Sequence, residues 1–166
     1  MKESANRPED QTAMSVRRAA YAQPLFRRIL APTDFSHRSE AALDYAVNLA
    51  RRTHGQLTLL HVLPEPSAFD YTMNGYAHGE WDQAKEEAEK NLADAVTHAK
   101  RTFLEVDSKL RIGVDLHHEI LSVAKDVSAD LLVLSTHGYK GWKHLLFGSD
   151  AEKILLQAPC PILIVR

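Results

Sequence analysis

The chain has 166 residues, 45% of them hydrophobic and 25% charged, with 20 basic residues against 22 acidic ones and a formal net charge of −2. This length fits one domain burying roughly two-thirds of its unfolded surface, and the near-balanced charge argues against a polyanion-binding face and so against nucleic acid as a partner. The single cysteine, Cys160, excludes an internal disulfide; set in the apolar run APCPILIV, it fits a buried structural thiol in a reducing compartment better than a reactive one.

Residues 1–24 mix charges, Pro and Gln with few large apolar groups, so they read as a flexible N-terminal extension ahead of a domain over 25–166. Arg17, Arg18, Arg27 and Arg28 suit a solvated tail better than a partner contact. The start lacks the apolar core of a signal peptide, and no stretch is long enough to span a bilayer. A cytoplasmic protein with no membrane partner is expected.

Ile29, Leu30 and Ala31 form a first compact strand, closed by the turn formers Pro32, Thr33 and Asp34, and Ser36 then stands as the N-cap of a helix. That helix sets Ala42, Leu43, Ala46, Val47 and Ala50 at helical spacing, carries Arg51 and Arg52 in its last turn and meets Gly55 as its stop. LTLLHV at 57–62 is a nearly unbroken apolar strand, as expected of a parallel strand covered on both faces. Within it His61 fits a hydrogen-bonded core residue better than a ligand. Residues 64–82 are rich in Pro, Gly and aromatics without a period; they suit a lid over the ligand crevice or, equally, a surface loop pinned by its aromatics.

A long amphipathic helix follows over about 83–103, with Ala84, Ala88, Leu92, Ala95 and Ala99 on one stripe. A short strand is expected around 109–113, brief enough to be tolerable only at a sheet edge, and Asp115 then caps a helix to about Ser128. The apolar run 131–134 breaks into Ser135, Thr136, His137 and Gly138, a buried strand emptying into a loop. Ten residues on, Gly148 and Ser149 precede a helix over 149–157, and Pro161 introduces a last strand, ILIV, at 162–165.

Five strands alternating with four helices argue an α/β fold: a five-stranded, mostly parallel sheet with helices on both faces. Such sheets bind ligands beyond the carboxyl ends of their strands, where residues 32–34, Val62 with Leu63, and residues 135–138 converge. Asp34 suits an adenine amino group or a ribose hydroxyl, and an ordinary turn equally well. Gly138, Gly148 and Ser149 offer donors to phosphate at a helix start.

Two segments together, ILAPTDFSHRSEAAL and ADLLVLSTHGYKGWKHLLFGSDAEKILLQAPCPILIVR, resemble the universal stress protein family over roughly 26–166. The resemblance implies a single Rossmann-like domain that dimerises, commonly through its last strand, here Ile162–Val165, and that in some members binds ATP. The ATP-binding pattern is Gly, two residues, Gly, nine residues, then Gly and Ser or Thr; Gly138, Gly148 and Ser149 match its later part. By resemblance the nucleotide-binding positions are Pro32, Thr33, Asp34, Val62, Leu134, Ser135, His137, Gly138, Gly148, Ser149 and Asp150.

The chain departs from the pattern at two places. Ser135 stands where the first glycine belongs and brings a Cβ close to the ligand, and Asp150 puts a carboxylate at the phosphate-facing helix start. Lys140, Lys143 and His144 offer compensating charge; YKGWKH also reads as a solvated loop with Trp142 against a partner subunit. The third strand looks shorter than the family's.

Catalysis and a metal site are not expected. No Ser-Gly-Gly loop follows the first strand, and His117, His118 and Glu119 are adjacent on a helix and so diverge. The expectation is a homodimeric stress-response protein that binds ATP or another adenine nucleotide as a signal and acts through protein partners. The alternatives are a nucleotide-independent dimeric interaction module and, behind it, a slow ATPase.

Overall fold

A computed structural model describes residues 26–66, 78–135 and 149–166. The expected extension over 1–24, most of the 64–82 loop and the glycine loop over 136–148 lie outside the described residues.

Among the described residues the chain alternates β1 (Arg28–Pro32), α1 (His37–Thr53), β2 (Gln56–Pro64), α2 (His78–Lys100), β3 (Val106–Gly113), α3 (Leu116–Asp126), β4 (Leu131–Ser135), α4 (Ser149–Gln157) and β5 (Ile162–Val165). The strands form one sheet in the order β3-β2-β1-β4-β5, and every pairing is parallel. Strand order reverses between β1 and β4, where Ile29 pairs with Leu131 and Leu30 with Leu132.

The near-continuous apolar strands are explained by cover on both faces. Ile29, Leu57, Leu59 and Leu131 turn to a cluster with Ala42 and Ala46 of α1 and Leu92 and Ala99 of α2. Their neighbours Leu30, Leu60, Leu132 and Leu134 turn the other way, to Ile120 and Ala124 of α3 and Ile154 of α4. Burial of each such Leu or Ile is worth about 1.5–3 kcal/mol.

Local signals set most boundaries. Ser36 caps α1, its side chain accepting from the Ser39 N–H at 3.3 Å. The stop of α1 differs from expectation: His54, at φ 51°, takes the left-handed position that Gly55 was expected to fill. Gly55 serves close approach instead, since a Cβ there would lie 2.7 Å from the Arg27 carbonyl oxygen. The start of β1 is clipped by Asp130, whose carboxylate accepts from the N–H of Arg27 at 3.0 and 2.9 Å and of Arg28 at 2.8 Å.

Three further expectations are corrected. β3 is no stub but an eight-residue strand registered along β2 from Leu57–Val106 to Pro64–Gly113. It does lie at an edge, and its alternating polar residues Asp107, Lys109 and Arg111 hid the apolar signal. α2 begins at His78 instead of about Gln83 and ends at Lys100, because Arg101 and Thr102 turn back on the carbonyls of His98 and Ala99. Asp115 occupies the N-cap of α3 without a side-chain capping bond, and the helix ends at Asp126, short of Ser128.

Candidate nucleotide site at the strand-order reversal

β1 and β2 bring the first two candidate segments to the carboxyl edge of the sheet. Pro32 is the buried last residue of β1, and Thr33 N–H still donates to the Leu60 carbonyl at 2.8 Å before the chain leaves the sheet. Leu60 therefore presents its backbone toward β1. Alternation along a strand turns the N–H and C=O of Val62 the same way, into the gap past Thr33. The Val62 side chain is 2% exposed within the α3/α4-side cluster, so Val62 can offer a ligand backbone groups only.

The loop over 33–36 is tightly cross-bonded. Thr33 is 3% and Ser39 2% exposed, and their hydroxyls lie 3.1 Å apart. Phe35 N–H donates to Thr33 Oγ1 at 3.0 Å. One oxygen of Asp34, Oδ1, accepts from both the Ser36 N–H at 3.1 Å and the Ser36 hydroxyl at 2.6 Å. Asp34 thus builds the turn that launches α1, which is the ordinary role its residue type suggested. Phe35 has φ 59°, a left-handed conformation costing a non-glycine residue about 1–2 kcal/mol.

His61 holds this loop from the neighbouring strand. It is 9% exposed, its Nδ1 lies 2.8 Å from the Thr33 carbonyl oxygen, and its ring centroid is 4.4 Å from that of Phe35 at an interplanar angle of 32°. Burial holds the imidazole below its ordinary value, against the upward pull of the Thr33 hydrogen bond and the Asp34 charge. His61 is therefore the hydrogen-bonded core histidine its setting in LTLLHV implied.

On the other side of the reversal, β4 runs one residue further than expected. Ser135 closes the strand opposite Val165 and is 4% exposed, so its hydroxyl is buried at the strand tip instead of opening the loop. Leu134 is 1% exposed in the α3/α4-side cluster; like Val62 it has only backbone to offer. His137, Gly138 and Gly148 lie outside the described residues, as do Lys140, Trp142, Lys143 and His144. α4 starts at Ser149 with Asp150 second. Because α4 connects two parallel strands, its N-terminus lies at the carboxyl end of the sheet, where helix-start N–H groups favour an anion.

Elsewhere, a cavity of about 650 Å³ opens between α1 and α2, bordered by Thr33, Phe35, Asp44, Asp94 and Arg101. It adjoins the crevice through Thr33 and Phe35 but takes in neither Val62 nor Ser135. Among the described residues no three His, Cys, Asp or Glu side chains are grouped to hold a metal, and no helix is long and apolar enough to cross a membrane. Cys160 is half-buried, and burial, followed by the Asp130 charge, pushes its thiol above the ordinary value.

Residue type and position pointed to Thr33, Asp34 and Val62 as candidates but not to the roles of Phe35 and Ser39 in the loop. Ser39 carried a signal: it sits three residues after the N-cap, where a side chain that reaches back over the helix start is common.

These features define a class: a doubly wound, all-parallel α/β domain, a fold whose ligands bind where strand order reverses. Comparison with known proteins narrows it. The sequence matches the universal stress protein family over residues 25–166, and the chain belongs to that family. Universal stress protein MJ0531 of Methanocaldococcus jannaschii is 30% identical over 146 residues, spanning 86% of this chain and 83% of its own. The solved structure of MJ0577, from the same organism, superposes with a TM-score of 0.71 at 26% identity, covering 85% of this chain and 96% of that one. A universal stress protein of Archaeoglobus fulgidus, solved in complex with dAMP, shares the fold at a TM-score of 0.63 and 23% identity, covering 86% and 99% of the two chains.

Proposed function

We propose that this chain is a cytoplasmic, homodimeric stress-response protein that binds an adenine nucleotide, ATP foremost, in the crevice between the carboxyl ends of β1 and β4, and acts through protein partners. The carrying observation is the pre-set loop over 33–36, whose Asp34 is fixed by Ser36 at 2.6 Å at the carboxyl end of β1, next to β2 and the Val62 backbone groups that turn toward β1. A rigid acceptor beside strand-edge backbone groups suits the amino and ring nitrogens of adenine. The phosphates would then lie toward the N-terminus of α4. A relative of the same fold holds dAMP, which fits this reading. Binding in place of catalysis is favoured because the buried imidazole beside the loop, that of His61, is engaged by the Thr33 carbonyl. The half-buried free thiol of Cys160 suits a reducing compartment.

Calorimetry with ATP tests the reading: saturable binding is expected, weakened at least tenfold in Asp34→Ala, and no heat at millimolar nucleotide would sink it. The alternative, a dimeric interaction module that needs no nucleotide, draws on the turn-building role of Asp34 Oδ1. It predicts equal dimerisation and partner binding with and without ATP.

Dimerisation is proposed from the contrast between the two sheet edges. Edge strands need protection from uncontrolled pairing. β3 carries Asp107, Lys109 and Arg111, the last paired with Asp126 at 2.6 Å. β5 is ILIV, with Ile164 41% exposed and Leu155 and Leu156 of the adjoining α4 50% and 77% exposed. A second copy of β5 is the natural cover.

A further inference from the structure

We propose that His61 is a positioning residue for the nucleotide site: its Nδ1–H, donated across the strand gap to the Thr33 carbonyl, fixes the 33–36 loop and thereby the placement of Asp34. The inference rests on the nucleotide reading above and adds a residue that touches no ligand.

A carbonyl oxygen only accepts, so at 2.8 Å the Nδ1 of His61 must carry the proton. The bond falls at the point where the β1 ladder ends, the last rung being Thr33 N–H to the Leu60 carbonyl. Beyond it the loop holds a costly residue, Phe35 at φ 59°, and such a conformation persists only where its surroundings over-determine it. Most of the ties are local: Phe35 N–H to Thr33 Oγ1, and Ser36 to Asp34 Oδ1. Thr33 Oγ1 is further tied to Ser39 of α1. His61 supplies side-chain support from β2, and does so twice, through the Thr33 carbonyl and through its 4.4 Å ring contact with Phe35.

The two contacts can be separated. His61→Phe keeps a ring to stack on Phe35 but has no donor. His61→Asn keeps an amide N–H near the position of Nδ1 but loses the ring and its packing. If His61 serves only the core, affinity follows stability and the Phe variant is the better protein on both counts. If His61 positions the loop, the two orders cross. The Phe variant should bind ATP about three- to tenfold more weakly than wild type, as expected for one lost hydrogen bond. The Asn variant, although the less stable to urea, should bind within about twofold of wild type, since its donor is retained.

The experiment is ATP calorimetry and urea denaturation on wild type and both variants, with backbone amide NMR of residues 33–36. Crossed orders, with loop shifts in the Phe variant alone, are the expected result. Affinity that follows stability overturns the inference. If the wild type binds no ATP, the nucleotide reading fails by itself and the NMR decides the loop claim: shifts confined to the Phe variant uphold it, and an unmoved loop in that variant overturns it.

Discussion

Gly55→Ala is expected to destabilise the fold for a reason unrelated to helix or turn propensity. The new Cβ would lie 2.7 Å from the Arg27 carbonyl oxygen and 3.0 Å from its C and Cα. All three are backbone atoms, so no side chain can swing aside. The same carbonyl accepts the Gln56 N–H at 2.6 Å, and the adjoining N–H groups are held by Asp130. Relief therefore means pulling the start of β1 from β2 or from its clip. Overpacking of this kind costs about 1–3 kcal/mol, a stretched hydrogen bond adds about 0.5–1.5 kcal/mol, and the stiffer unfolded chain returns about 0.4–1 kcal/mol. A net loss of about 1–3 kcal/mol follows, which for a domain of this size lowers Tm by about 3–10 °C. Urea titration should show a lower midpoint at unchanged slope. Gly79→Ala is the control: nothing lies within 4 Å of its new Cβ, and in a helix the change should stabilise by up to about 1 kcal/mol. If Gly55→Ala is as stable as wild type while the control behaves, the close-approach argument is wrong.

Three more outcomes follow from the same geometry. His54, exposed at φ 51°, should gain about 0.5–1 kcal/mol on substitution by Gly, read from the urea midpoint. His61 is held below its ordinary value by burial, so on acidification the unfolded state takes up this proton first. Its stabilising contribution is complete above about pH 6.5 and declines as pH falls from there through the lowered folded value; urea titrations of wild type against His61→Asn should show this slope in the wild type alone. Ile164→Lys, a charge on the apolar edge, should convert a sedimenting dimer into a monomer, and a dimer that survives it would place the interface elsewhere.

The fold was legible because its strands are covered on both faces. Runs such as LTLLHV and LLVL have no competing reading once helices of helical period separate them, and Pro161 and Ser36 mark element starts by their own stereochemistry. β3 was underestimated because an edge strand is half solvated, and Asp107, Ser108 and Arg111 look like loop to any reading that seeks apolar runs. The misplaced stop of α1 has a similar cause: a glycine next to a helix end invites the left-handed role, whereas Gly55 answers to Arg27, 28 positions upstream. In the site, residue type placed Thr33 and Asp34 at the carboxyl end of β1. It could not reveal that Asp34 Oδ1 serves Ser36, or that His61 and Phe35 meet as rings, because both depend on the path of the loop between strands.

The unequal edges of the sheet limit what the chain can build. A molecule with matching apolar strands at both ends would polymerise side by side, strand after strand, into a ribbon. Among the described residues Asp107, Lys109 and Arg111 put charge on one end, whereas Ile162–Val165 carries none at the other. In the dimer proposed above, pairing through that end would be self-complementary about a two-fold axis, so growth would stop at a ten-stranded sheet with a β3 edge at each margin.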